Sequence, residues 1–173
     1  HLQLVHYRVN DLGDIQTEQP VHNGLTDFGA AVIAECNRLG VIVDLAHASE
    51  AMTRRAVQVT KTPVLLSHTS IFGSPPPLSR VITPAHARAV AETDGVVGVW
   101  PTGFIFRSMA EWVNASRSMV NAAGIDHVGI GTDMEGGIQE LFANYADYPR
   151  VIEALLAGGF DVEQTAKIVG GNH

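Results

Sequence analysis

The chain of 173 residues is predicted to be an α/β protein, with five parallel strands and four intervening helices. Short runs rich in Val, Ile and Leu alternate with longer stretches in which apolar residues recur at helical spacing, an order typical of βαβ units. Two runs, VIVDLAH and PVLLSHTS, are largely apolar until they reach a histidine, as expected of strands buried on both faces. Right-handed crossovers then leave two architectures open, a doubly wound sheet or an arc of a (β/α)8 barrel.

The first strand, the first helix and the second strand are each predicted from local signals. Residues 1–7 (HLQLVHY) form an apolar-rich run typical of a strand, and a polar loop follows it. Thr26 can cap a helix that runs to about Leu39, where Gly40 predicts its end. Residues 41–46 predict the second strand.

The middle of the chain predicts a second helix, a third strand and an irregular loop. Ser49 can cap a helix that extends to about Thr60, and Pro63 opens the next apolar run. Residues 72–80 contain consecutive prolines. Because proline lacks a backbone N–H donor, this segment is predicted to be irregular.

The remaining elements continue the alternation. Pro84 suits the first position of a helix that ends near Asp94, and Gly124 predicts the end of a later helix. The further predicted elements are strands at 96–100 and 127–133 and helices at about 107–123, 148–157 and 162–169.

Composition favours a single compact domain over residues 1–173. Apolar residues make up 46% of the chain and charged residues 17%, so the chain can bury a sizeable core. The formal net charge of −7 disfavours nucleic acids and anionic membranes as partners, and favours a small-molecule substrate or a metal. The single cysteine, Cys36, excludes a disulfide framework.

No transmembrane segment is expected, because no apolar run reaches the roughly 20 residues that cross a bilayer. The chain also does not open with the charged and apolar regions of a signal sequence. A soluble protein is therefore expected. Its compartment is left open, with the cytoplasm slightly favoured.

Three candidate metal ligands follow different predicted strands. His47, His68 and Asp133 each lie at or just after a strand's C-terminal end. The C-terminal ends of parallel strands share one rim, so these side chains are expected to converge. Imidazole and carboxylate suit zinc, and Asp133 could bind the metal or act as a general base. The alternative is that the histidines are hydrogen-bonded packing residues.

His6 and Arg80 are expected at the same rim. His6 follows the first apolar run and could donate a hydrogen bond to a polarised carbonyl. Arg80 lies in the loop after the His68 strand and could hold a substrate carboxylate with two hydrogen bonds. A structural histidine and a solvated loop arginine are the alternatives. Asp44 is predicted to point away from His47 and to have a supporting role.

The chain resembles the membrane (renal) dipeptidase family, metallopeptidases with an amidohydrolase-type barrel. The matching stretches, in family order, are LVHYRVN, GLTDFGAAVIAECNRLGVIVDLAH, PVLLSHTS, DHVGIGTDMEG and the terminal GGN. Together they cover most of the chain. The resemblance implies that the chain forms the C-terminal half of a (β/α)8 TIM barrel.

The resemblance also implies roles for the candidate residues. His47 and His68 would bind one ion of a binuclear zinc site, while Asp133 would lie at the other ion and help to activate the bridging water. His6 resembles the histidine that contacts the substrate and stabilises the tetrahedral intermediate. Arg80 resembles the arginine that receives the carboxylate of a dipeptide.

Departures from the family are also visible, among them Glu135 in GTDMEG, where the family more often has aspartate. A His-x-Asp pair on the family's first strand and a later bridging glutamate would both precede His1, so this chain is expected to supply only part of the ligand set. The segment SPPPLSRV replaces the arginine-asparagine context that the family usually has around Arg80.

The function expected from these observations is zinc-dependent hydrolysis of a dipeptide or a similar small substrate. Two alternatives stay open, a catalytically silent half-barrel that serves as a binding or assembly module, and a related amidohydrolase that acts on a lactone or cyclic amide. Because a half-barrel has open strand edges, a homo-oligomer or the missing barrel half is expected to cover them.

Overall fold

A computed structural model describes residues 1–71, 80–134 and 140–172. Its strands are β1 (Leu2–Gln3), β2 (Val43–Asp44), β3 (Leu65–Ile71), β4 (Val81–Ile82), β5 (Val96–Val99) and β6 (Val128–Ile130). Its helices are α1 (Asp27–Leu39), α2 (Glu50–Val59), α3 (Pro84–Ala91), α4 (Met109–Ala123), α5 (Tyr148–Ala157) and α6 (Val162–Ala166).

The strands form one parallel sheet in the order β1-β2-β3-β5-β6, and β4 pairs with the last two residues of β3. Along this main path, strands that follow one another in sequence lie next to one another, and the order never reverses. A doubly wound sheet reverses its strand order at a switch point, whereas a barrel does not. The order therefore supports the barrel arc and confirms the α/β class.

The helix starts follow the predicted caps. The hydroxyls of Thr26, Ser49 and Thr83 each accept a hydrogen bond from a backbone N–H three residues further on, at the starts of α1, α2 and α3. Gly40 ends α1 in the left-handed conformation, with φ of 69°. The predicted caps Thr26 and Ser49 and the predicted helix start at Pro84 are confirmed, and Thr83 is a further cap that was not predicted. A cap depends only on residues that are close in sequence.

Strand lengths differ from the predictions. The run predicted over residues 1–7 pairs only at Leu2–Gln3, although the following Leu4 and Val5 are buried. The third strand continues to Ile71, and β4 was not predicted. Apolar character reports burial, whereas strand bounds depend on hydrogen bonding to a neighbouring strand.

The core lies between the sheet and the helices packed on its outer face. Trp112 on α4 is fully buried, and its indole N–H donates to the carbonyl of Val99 on β5 at 3.2 Å. No helix of the described residues is long and apolar enough to cross a membrane.

Two glycines allow β5 and β6 to approach the middle of β3. A Cβ atom added to Gly98 would lie 2.1 Å from the Ser67 carbonyl oxygen, and one added to Gly131 would lie 2.0 Å from it. Both distances are far inside van der Waals contact. The close approach places the residues after β5 and β6 beside His68.

His86 is buried between two helices, with 2% of its surface exposed. Its Nε2 lies 2.8 Å from Thr53 Oγ1 on α2. Burial lowers the pKa of His86 from 6.5 to about 4, and the neighbouring Glu50 carboxylate only partly opposes this shift. The ring is therefore neutral in the folded protein at neutral pH.

We expect His86→Gln to reduce the pH dependence of stability. Below pH 6.5 the unfolded chain protonates this histidine, but the folded chain does not until about pH 4. The wild-type free energy of unfolding should thus lose up to about 3 kcal/mol from this residue across that window. Urea unfolding at pH 7.5 and 4.5 measures the difference. His22→Gln, at an exposed position, is the control. An equal pH dependence in His86→Gln and wild type would contradict the prediction.

Candidate functional site

Two buried histidines form the centre of the site. His47 follows β2 and His68 lies on β3; they are 4% and 6% exposed, and their Nε2 atoms are 3.2 Å apart. This separation suits a hydrogen bond in which one ring donates to the other. It also suits two ligands of one ion, because nitrogens on a tetrahedral zinc lie about 3.3 Å apart when each Zn–N bond is about 2.0–2.1 Å.

The backbone aims both histidines. His47 has a positive φ of 68°, and its carbonyl oxygen accepts a hydrogen bond from the Gln16 N–H at 2.9 Å. A non-glycine residue adopts this conformation only where its surroundings impose it. His68 lies where the pairing between β3 and β5 shifts register, between Leu66 and Thr69. Such irregularities redirect side chains at strand ends.

Both imidazoles are held neutral. Burial lowers the pKa of His47 to about 3, and the positive charge of Arg80 adds to the shift. Burial also lowers the pKa of His68, although the carboxylate of Asp133 opposes that shift. Neutral imidazole is the form that binds a metal, so no proton has to be released.

Asp133 completes the trio that the sequence predicts. It follows β6 with a positive φ of 48°, its side chain is 33% exposed, and its Oδ2 lies 3.8 Å from His68 Nε2. Within the described ranges, however, no three His, Cys, Asp or Glu side chains form a ready metal-binding group. The residues therefore fit a metal only as a partial ligand set. The two histidine nitrogens are spaced as ligands of one ion, whereas the Asp133 carboxylate lies farther from His68 than His47 does.

Asp44 holds together the two chain segments that carry the histidine pair. It is 1% exposed, and its Oδ1 accepts hydrogen bonds from the N–H groups of Ala46 at 2.9 Å and Ser67 at 3.0 Å. These contacts join the end of β2 to β3. Asp44, His68 and Asp133 line one cavity of about 340 Å³.

His6 and Arg80 lie at the same rim. The exposed His6 ring lies 4.4 Å from the His47 ring. The Arg80 guanidinium donates from Nη1 to Gln16 Oε1 at 2.7 Å and lies 5.9 Å from the centre of the Trp100 ring. Burial lowers the pKa of Arg80, and the carboxylate of Asp133 opposes that shift. The structure therefore brings all five predicted residues together; residues 72–79 of the predicted irregular loop lie outside the described residues.

Three residues near the site were not predicted. Gln16 forms a hydrogen bond with Arg80. The ring centre of Trp100 lies 5.8 Å from that of His68, and Trp100 ends an apolar run, as the two histidines do. Glu140 carries buried carboxyl oxygens, and burial raises its pKa to about 7, with a further contribution from Asp133 and an opposing one from Trp100. Among the described residues, those oxygens and the Trp100 indole nitrogen have no partner in hydrogen-bond geometry.

Comparison with known proteins identifies relatives of this chain. The profile of the membrane dipeptidase family (peptidase family M19) matches residues 2–173. Dipeptidase aclJ of Aspergillus oryzae is 32% identical over 186 residues, which cover 99% of this chain and 43% of that protein. The chain thus spans less than half the length of this curated relative.

Two solved structures share the fold. The probable dipeptidase PvdM of Pseudomonas aeruginosa superposes with a TM-score of 0.87 at 18% identity, over 98% of this chain and 60% of that one. A metallopeptidase of Rhodobacter sphaeroides, bound to a phosphinate mimic of the dipeptide L-Ala-D-Ala, gives a TM-score of 0.77 at 28% identity. That match covers 87% of this chain and 45% of the other.

Glu140→Gln should stabilise the protein at alkaline pH. The folded state holds this carboxyl protonated up to about pH 7, whereas the unfolded chain releases the proton near pH 4.5. Stability from this group is therefore complete below pH 4.5 and is lost as the pH rises to 7. A higher melting temperature is expected for the variant at pH 8 and no difference at pH 4.5. Glu153→Gln, on the exposed face of α5, is the control, and equal melting temperatures at pH 8 would refute the assignment.

Proposed function

Since this chain belongs to the membrane dipeptidase family, we propose that it supplies one side of the active site of a zinc-dependent dipeptidase. The observation that carries the proposal is the pair of neutral, buried imidazoles whose Nε2 atoms lie 3.2 Å apart, with Asp133 and Arg80 at the same rim. This combination offers metal ligands, a base and a carboxylate receptor together.

His47 and His68 would hold one zinc ion, and Asp133 would lie at a second. The Ser67 hydroxyl lies 3.0 Å from His68 Nδ1, and such a second contact fixes a ligand ring's orientation and tautomer. Zinc bound there would supply Lewis acidity and lower the pKa of water towards neutrality.

The chain's own groups account for proton transfer and substrate binding. Asp133 is partly exposed, so its carboxylate can take a proton from the water that adds to the peptide carbonyl carbon. It can then return that proton to the leaving amine as the C–N bond breaks. His6 can donate a hydrogen bond to the carbonyl oxygen, where negative charge develops.

Arg80 would select short substrates by their free carboxylate. A guanidinium presents several N–H donors in one plane and can bind a carboxylate with two parallel hydrogen bonds. Because Arg80 lies at the rim that carries the histidine pair, a dipeptide bound by its carboxylate would place its single peptide bond near that pair.

The proposal also includes a complement to this sheet. Within the described residues β1 and β6 each pair with one neighbour, which leaves two strand edges open. Further strands, from a longer polypeptide or from a second copy of the chain, would cover these edges and add the metal ligands that the family resemblance implies.

Zinc binding tests the proposal directly. We expect His47→Gln and His68→Gln each to weaken zinc affinity by at least about 10- to 100-fold, because each removes a ligand of the same ion and the loss of a ligand's hydrogen-bond partner alone costs that much. Competition titration against a chromogenic chelator measures the affinity, and hydrolysis of L-Ala-L-Ala should fall in parallel. His22→Gln is the control.

Unchanged zinc affinity in both variants would refute the proposal. A wild type that binds zinc through these histidines but hydrolyses a lactone rather than a dipeptide would identify a related amidohydrolase. A wild type without zinc affinity would favour a catalytically silent binding module.

A further inference from the structure

Gln16 connects two parts of the site. Its N–H donates to the carbonyl oxygen of His47 at 2.9 Å, and its Oε1 accepts from Nη1 of Arg80 at 2.7 Å. Gln16 and Arg80 are 64 positions apart along the chain. The contact therefore fixes the guanidinium relative to the histidine pair rather than relative to its own loop.

The segment that carries Gln16 is held firmly. Asp14 is 1% exposed, and its carboxylate accepts hydrogen bonds from the N–H groups of Val21, His22 and Gly24 at 2.7–3.2 Å. Ile15 forms an isolated antiparallel bridge with Ala48. The two residues that precede Gln16 are thus attached to their own loop and to the sheet end, and the Gln16 N–H is itself bonded to His47, so its side chain has a fixed origin.

Arg80 is oriented by neutral partners. Thr69 Oγ1 donates to the Arg80 carbonyl oxygen at 3.0 Å, and the Trp100 ring centre lies 5.9 Å from the guanidinium. In the part of the chain that the structure describes, no carboxylate forms an ion pair with Arg80. The Asp133 carboxylate acts on Arg80 only at longer range, so the positive charge is positioned without a direct ion pair.

We propose that Gln16 is a positioning residue that presents the charge of Arg80 to the carboxylate of the substrate. The proposal rests on the role of Arg80 given under the proposed function. An amide oxygen uses one guanidinium N–H and leaves the positive charge and the other donors free. A carboxylate at the same position would form a stronger, charge-assisted pair, neutralise Arg80 and repel the incoming carboxylate.

Gln16→Glu separates this role from a structural one, because glutamate preserves the shape and the accepting oxygen. If Gln16 serves only to hold the loop, Gln16→Glu should bind substrate like wild type. If it keeps Arg80 available, Gln16→Glu should bind a carboxylate-bearing peptide about 10- to 100-fold more weakly while its melting temperature stays equal or rises. Gln16→Ala should lose less affinity, since Arg80 keeps its charge.

The experiment compares L-Ala-L-Ala with its C-terminal amide. Calorimetry with a chelator present measures the binding of each intact peptide to the full chain, and zinc-loaded protein then gives KM and kcat. The expected effect of Gln16→Glu lies in KM for the free peptide, with kcat and amide binding little changed. Gln19→Glu introduces the same charge three positions away, on an exposed side chain with no hydrogen bond among the described residues, and is the matched control.

Arg80→Met distinguishes the two ways in which the idea can fail. A wild-type preference for the free peptide that Arg80→Met abolishes and Gln16→Glu retains would overturn the role of Gln16 and leave that of Arg80 intact. A preference that Arg80→Met does not alter, or a wild type with no preference, would overturn the proposed role of Arg80 and the inference with it. A preference lost in both variants and retained in Gln19→Glu would support both.

Discussion

The site depends on keeping the imidazole rings of His47 and His68 uncharged while their Nε2 atoms lie 3.2 Å apart. Two protonated rings at that distance would repel strongly in a buried environment, so burial and neutrality are required together. The surrounding structure provides both. The Asp44 side chain joins the strand ends through bonds to backbone N–H groups, and Gly98 and Gly131 let β5 and the residues after β6 lie close to the His68 segment. The metal binding proposed for this rim depends on this packing.

The helices were predictable to within a few residues, while the strands were not. Thr26, Ser49 and Thr83 cap helices through bonds to backbone three residues away, so a short window of sequence contains the whole signal. Strand bounds depend on pairing with segments far away in the chain. The buried Val5 lies in an apolar run but outside β1, and two-residue β4 exists only because the end of β3 lies beside it.

The site residues likewise fall into those that the sequence predicted and those that depend on tertiary packing. The sequence allowed us to predict that five residues converge on one rim, because parallel strands bring their C-terminal ends together whatever the side-chain contacts are. They are His6, His47, His68, Arg80 and Asp133. Gln16 and Glu140 gained their positions from tertiary packing, and neither follows an apolar run. Trp100 ends its apolar run as the histidines do, but an indole offers no ligand atom, so this position gave no signal for a metal site.

Left-handed backbone at His47 and Asp133 sets stability and function against each other. Glycine adopts such a conformation at almost no cost, whereas other residues lose roughly 1 kcal/mol or more. Glycine at either position would relieve that cost, but it would remove a side chain to which a role in the site is proposed. Selection for robustness alone would therefore favour glycine at both positions, so the persistence of His47 and Asp133 in a lineage would indicate that their side chains are under selection.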